Sequence, residues 1–195
     1  MNKTNAPKFL FILHPSSFIL TKIMEILIFG VILVALMVFV STKIKKSAAQ
    51  AFESEAIETE DFKITKPKGF INPINEDSAF AFEAYTKELG ENDAKNFRQA
   101  QANLRIITDP DFESVCRNAK TSADKILSEN VFENPRVYLL ESERIEKDVS
   151  IISSWKIVEN IQKRKIYELQ ISVLEAYRED YAARANEMIN SFIVK

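Results

Sequence analysis

The feature that most constrains this chain is an apolar run near its start. From Ile26 to Val40 every residue is apolar or glycine. Extended to Ile23 and Thr42, the run is about 20 residues, or ~30 Å of helix, enough to cross a bilayer's hydrocarbon core. Glu25 then falls in the first turn, at headgroup depth. A buried core helix of this length would show polar positions, and none interrupts the run.

A cleaved signal peptide is the main alternative, because Ala49-Gln50-Ala51 offers an A-x-A pattern. Lys43, Lys45 and Lys46 stand between the run and that pattern, however. Signal peptides carry their positive charge before the apolar region, not after it. No cysteine stands directly after the run, which excludes a lipid-modified end. Orientation depends on the start. From Met24, no lysine precedes the run and three follow it, which puts the C-terminal domain in the cytoplasm by the positive-inside rule. From Met1, Lys3, Lys8 and Lys22 balance them, leaving an extracytoplasmic domain open. Phe9–Leu20, with Pro15 and two serines, reads as a broken apolar prefix of doubtful status. The expected division is therefore 1–22 prefix, 23–42 transmembrane helix, 43–60 helical stalk and 61–195 soluble domain.

Composition narrows the function. The formal net charge is −2, and the first 23 residues hold three lysines and no acid. The remaining basic residues are scattered among acids, so no basic stripe marks a nucleic-acid surface. The single histidine, His14, lies in the prefix, which leaves the soluble part without an imidazole for base catalysis or metal binding. With one cysteine no internal disulfide forms. No P-loop, GxGxxG, HExxH or GxSxG pattern is present, and three glycines build no phosphate cradle.

Along the soluble part, Phe62–Thr65 alternates like a short strand before a Pro/Gly loop over Lys66–Asn75. Ala79–Thr86 suits either strand or helix. Glu91–Ala102 has Ala94, Phe97 and Ala100 in helical register, and Asn103–Thr108 reads as a strand. Asp109 can cap a helix opening at Pro110, with Phe112, Val115, Cys116, Ala119, Ala123 and Ile126/Leu127 on one face. Cys116 on that face is a structural thiol, since no histidine is available to deprotonate it.

Arg136–Glu146, Val149–Glu159 and Arg164–Leu174 read as three consecutive antiparallel strands. In the last, Tyr167, Leu169, Ile171 and Val173 alternate with Glu168, Gln170 and Ser172, as a half-buried strand requires. A helix of about 17 residues from Glu175 closes the chain, with Tyr177, Tyr181, Ala185, Met188 and Phe192 in one stripe. The fold class is α+β: an N-terminal transmembrane helix, then an antiparallel sheet flanked by helices.

Candidate chemistry is sparse. Glu141, Glu143 and Glu146, and Glu179 with Asp180, invite a paired-carboxylate reading, but Ser142, Arg144 and Lys147 intermix with them as on a solvated face. Trp155 with Tyr138 and Tyr167 reads as core, with a pocket wall as the alternative. No catalytic, cofactor-binding or metal residue is predicted. The expected partners are the lipid bilayer and an unidentified protein, without nucleic acid.

The order of elements carries one resemblance. A strand ANLRIIT, the helix DFESVCRNAKTSADKIL, the meander VYLLESERIEKDVSIISSWKIVENIQKRKIYELQISVL and a helix ending MINSFIVK resemble the PsbP-like α/β/α sandwich domains. The early FKITKPKGF is similar to that fold's opening strand and turn, and Ser191-Phe192-Ile193 to its close. The resemblance spans Asp61–Lys195. It implies a non-enzymatic binding or assembly module, often extracytoplasmic, which conflicts with the charge bias. None of that family's functional residues can be matched here.

Overall fold

A computed structural model describes the backbone of residues 16–73 and 78–195, with side chains from residue 24 onward apart from Ala48. The chain divides into two compact units, residues up to Ala48 and Ala49–Lys195.

The first unit is helical. Helix α1, Ser16–Ala51, is continuous, and every described side chain of Met24–Ser47 is exposed. The exposed set includes Phe29, Leu36 and Phe39, residues that a helix in water would bury. Ser16–Leu20 is part of this helix, so the break expected there does not occur within it. Phe9–Pro15 lies outside the described residues. A run of Ile and Leu tolerates two serines once the helix is nucleated.

The second unit opens with β1 (Glu55–Glu58), β2 (Phe62–Lys66), β3 (Phe70–Ile71), β4 (Phe82–Thr86) and β5 (Ala100–Thr108). Helix α2 (Phe112–Thr121) follows, then β6 (Lys125–Glu133), β7 (Arg136–Glu146), β8 (Val149–Asn160) and β9 (Lys165–Leu174). Helix α3 (Arg178–Ser191) and β10 (Ile193–Val194) complete it. One sheet has the order β1-β2-β10; the other, of seven strands, has the order β3-β4-β5-β9-β8-β7-β6. All neighbouring strands are antiparallel.

Alternation along β8 and β9 builds two cores on opposite faces of the large sheet. On one face Val158, Tyr167, Leu169, Ile171 and Val173 pack with α3 (Tyr181, Ala185, Met188) and with Phe62, Ile64 and Phe192. Phe62 and Phe192 lie 6.3 Å apart, and Phe70 meets Tyr181 edge-on at 6.1 Å. On the other face α2 lays Phe112, Val115, Cys116 and Ala119 over Tyr138, Leu140, Trp155, Ile157 and Ile166. The α+β class and the three-strand meander are as expected.

Several local expectations are corrected. The stalk is not helical through residue 60. The helix ends at Ala51, and Glu55–Glu58 pairs with Lys63–Lys66. Pairing and the packing of Ile57 against the core override the Ala/Glu/Lys helix propensity. Ala79–Thr86 resolves as the strand β4, its Phe82, Ala84 and Thr86 buried in alternation. Glu91–Ala102 is not a helix: a short 3₁₀ turn at Asn92–Ala94 gives way to a Leu89–Arg98 bridge and β5. Gly90 is tightly enclosed, for a Cβ there would stand 2.7 Å from Leu174 Cδ1 and 2.5 Å from the Ala94 Cβ.

Helix α2 is capped by Asp111, whose carboxylate accepts from Ser114 N–H at 3.0 Å, and not by Asp109. Asp109 stands at φ 55, left-handed rather than the extended conformation of an N-cap, and its carboxylate pairs with Arg164 at 2.8 Å, which draws it away from the helix start. The helix stops at Thr121, and Ile126 and Leu127 belong to β6. Strand β6 is exposed on nearly every side chain, so it carries no alternation for a sequence reading to detect.

Candidate functional site

Helix α2 covers only part of its face of the large sheet. Beyond it, three cross-strand rungs of β5 and β9 carry Gln101 opposite Ser172, Asn103 opposite Gln170, and Arg105 opposite Glu168. Strand β8 adds Ser153 beside Ser172 and Trp155 beside Gln170. Strands β5, β9 and β8 are interior strands of an antiparallel sheet, whose one face packs on the α3 core while the other is open beyond α2. Here one face of that interior is a strip of amides, hydroxyls and one carboxyl.

Its internal bonds are specific. Ser153 Oγ and Ser172 Oγ lie 3.0 Å apart. Gln170 Nε2 donates to Ser172 Oγ at 3.2 Å and to Ser153 Oγ at 3.4 Å. That spends the amide N–H groups and leaves Gln170 Oε1 without a donor among the described residues. The Arg105 guanidinium stands 5.3 Å over the Phe80 ring. Glu168, 9% exposed, accepts no side-chain hydrogen bond among the described residues. Burial pushes its carboxyl above the ordinary carboxylate range, with Arg105 opposing. Trp155, 8% exposed, has a buried indole N–H with no partner among the described residues. A buried donor left unpaired is uncommon, and the Trp155 indole N–H marks the strip.

Two depressions lie along it. One of about 20 Å³ is bordered by Phe80, Asn103, Arg105, Trp155, Glu168 and Gln170. The other, about 130 Å³, is bordered by Asn96, Phe97, Arg98, Gln101 and Ser172. Larger hollows exist elsewhere, one of about 560 Å³ beside the first turn of α3. That of about 240 Å³ at the β8–β9 turn is edged by Arg164, paired to Asp109 at 2.8 Å, and by Lys165, paired to Asp61 at 3.0 Å.

The residues singled out in the sequence do not converge. Glu141 pairs with Arg178 at 2.9 Å, Glu143 accepts from Ser150 at 2.8 Å, and Glu146 pairs with Arg144 at 2.8 Å. Glu179 and Asp180 lie exposed in the first turn of α3, where carboxylates favour the helix dipole. Tyr138 and Trp155 share the α2 face, whereas Tyr167 lies in the opposite core. Cys116 is buried, its thiol pushed up to about 12 chiefly by burial and then by Glu113. His14 lies outside the described residues. Among the described residues no group of three His, Cys, Asp or Glu side chains is placed to hold a metal ion. The strip was missed because Glu168, Gln170 and Ser172 form the polar phase of an alternating strand, which reads as solvent-facing unless the strand's place within the sheet is known.

No protein-family profile and no curated protein matches the chain. Solved structures do. LpqN, involved in cell envelope biogenesis of Mycobacterium tuberculosis, superposes with a TM-score of 0.52 at 10% identity, covering 73% of this chain and 91% of that one. The Ran-binding protein Mog1p of Saccharomyces cerevisiae gives 0.50 at 12% identity, covering 73% and 96%. The cyanobacterial PsbP of Synechocystis sp. PCC 6803 gives 0.49 at 12% identity, covering 74% and 94%. At these identities the likeness is one of fold: the soluble part of the chain has the fold of LpqN and Mog1p.

Proposed function

We propose that this chain is a single-pass membrane protein whose α+β domain is a non-catalytic binding or assembly module, working from the cytoplasmic face. The observation that carries the reading is the helix Met24–Ala51, long and apolar enough to cross a membrane and with none of its apolar window buried. That amount of apolar surface is stable in lipid and unstable in water. The open polar strip supports binding, since it presents amides, hydroxyls and a buried indole N–H that has no partner among the described residues. A Ran-binding protein and an envelope-biogenesis protein on the same fold are in keeping with such a role. The side of the membrane rests on a start at Met24, for which Lys43, Lys45 and Lys46 follow the apolar run and no lysine precedes it. With Lys3, Lys8 and Lys22 included the charges balance and the outer side is the alternative.

Alkaline carbonate extraction tests the anchor: the full chain should stay in the membrane pellet, and release into the supernatant would refute the span. For the side, Ile161 is 76% exposed, so an Ile161→Cys reporter in a Cys116→Ser background is accessible. The cytoplasmic assignment requires that an impermeant maleimide label it only after lysis. Labelling of intact cells would place the domain outside.

A further inference from the structure

We infer that the strip over β5, β9 and β8 binds a neutral, hydroxyl-rich ligand, an oligosaccharide, with one hydroxyl seated between Trp155 and Glu168. This rests on the reading of the domain as a binding module. The smaller depression, about 20 Å³, has room for a group the size of one water, since roughly 10–15 Å³ holds one. Around it stand the Trp155 indole N–H, buried and without an acceptor among the described residues, and two acceptors that take no hydrogen bond from a described residue, the Glu168 carboxyl and Gln170 Oε1. Its complement must both donate and accept. An ammonium group has nothing to accept with, a carboxylate nothing to donate, and a peptide unit exceeds the space. A hydroxyl meets all three conditions.

The rest of the strip repeats that chemistry. Asn103 and Gln101 lie two residues apart on β5, about 7 Å, so adjacent sugar units would reach both depressions. The larger one offers Gln101, Asn96 and the Ser172 hydroxyl to further hydroxyl groups, and the half-exposed Phe97 ring to a sugar's C–H face. Both are shallow, as suits a ligand lying across a sheet rather than one enclosed by it. Of the two arginines, Arg105 stands opposite the Glu168 carboxyl and over the Phe80 ring, and Arg98 donates to the Lys87 carbonyl at 2.8 Å.

Trp155 is the only tryptophan in the chain, so its fluorescence reports on the site directly. The full chain, held in a zwitterionic detergent free of sugar headgroups, is titrated with maltohexaose, cellohexaose and chitohexaose to about 10 mM, a range that captures weak binding. At least one should shift Trp155 emission saturably. Asn103→Ala and Gln170→Ala should each weaken that response about tenfold while leaving the unfolding midpoint near its original value. Lys87→Ala should change neither. No saturable shift with any sugar overturns the inference, as does an undiminished response in both strip variants. A blocked tetra-alanine peptide that shifts the emission when no sugar does overturns the saccharide class alone and leaves a binding module standing. Carbonate extraction reports on the anchor independently of either result.

Discussion

Lys66, 1% exposed, donates its ε-ammonium to the Glu53 carbonyl at 2.9 Å. The same group reaches the Ala51 carbonyl at 2.7 Å and the Phe70 carbonyl at 3.1 Å. A buried lysine is costly unless every proton is placed, and here all three are. The side chain therefore bolts strand β2 to the segment leading into it and to the turn that follows.

Lys66→Met keeps the stem but leaves three carbonyls without their shared donor. We expect a loss of about 2–4 kcal/mol, since each orphaned buried acceptor carries a desolvation penalty. At about 3 °C per kcal/mol the unfolding midpoint should fall by roughly 6–12 °C. Lys66→Arg should not restore it, because a planar guanidinium does not match three carbonyls around one point. Thermal melts by circular dichroism decide both.

Asp61, in the β1–β2 connection, ties Lys195 to the β8–β9 turn and strand β9. Its carboxylate accepts from Lys163 at 2.9 Å, Lys165 at 3.0 Å and the Tyr167 hydroxyl at 3.2 Å, and its carbonyl accepts from Lys195 N–H at 3.0 Å. The two lysine bonds hold its carboxyl down to about 2 from an ordinary 3.8. A depressed folded value means the contribution is complete above the unfolded value and lost as pH falls through the folded one. The stability gap between the protein and Asp61→Asn should thus be constant above about pH 5 and close between pH 4 and 2. Urea unfolding across that range measures it, and a gap independent of pH would show that the carboxylate is not the source.

The β7–β8 turn places Lys147 and Asp148 at φ 52 and 64, both left-handed. Two-residue hairpin turns of this shape favour Asn-Gly, and a lysine there bears about 1–2 kcal/mol of strain. Replacing the pair by Lys147→Asn with Asp148→Gly should stabilise the domain by about 1 kcal/mol and raise its midpoint by roughly 3 °C. An unchanged midpoint would mean the turn is already relaxed.

Cys116 is buried and its thiol stays protonated at neutral pH, because burial opposes the thiolate. We expect no maleimide labelling of the folded chain over hours and complete labelling in about 8 M urea, a concentration beyond the midpoint of ordinary domains. This holds on either side of a membrane, so the native thiol reports on folding rather than on location. Rapid labelling of the folded chain would show that α2 opens.

Long, regular stretches were legible from the residues alone. Arg136–Glu146 and the strands after it alternate over ten residues or more, and their bounds are met within a residue. Of the closing stripe Tyr177, Tyr181, Ala185, Met188 and Phe192, the last four are buried and Tyr177 is half-buried. Short or two-sided elements were not. Strands β3 and β10 are two residues each, too brief for any period, and β6 is exposed on both faces.

What the amino-acid sequence determined by itself is whatever depends on local periodicity: the apolar helix, the three-strand meander, the amphipathic faces of α2 and α3. Tertiary structure alone decided the rest. It turned Glu55–Glu58 from helix to strand through pairing with β2, and moved the α2 cap from Asp109 to Asp111 through a bond to Arg164. It also put the polar phase of β9 in the middle of a seven-stranded sheet, where α2 is too short to cover it. The physical reason is common to all three. Alternation says which residues share a face, but only long-range strand order says what lies opposite that face.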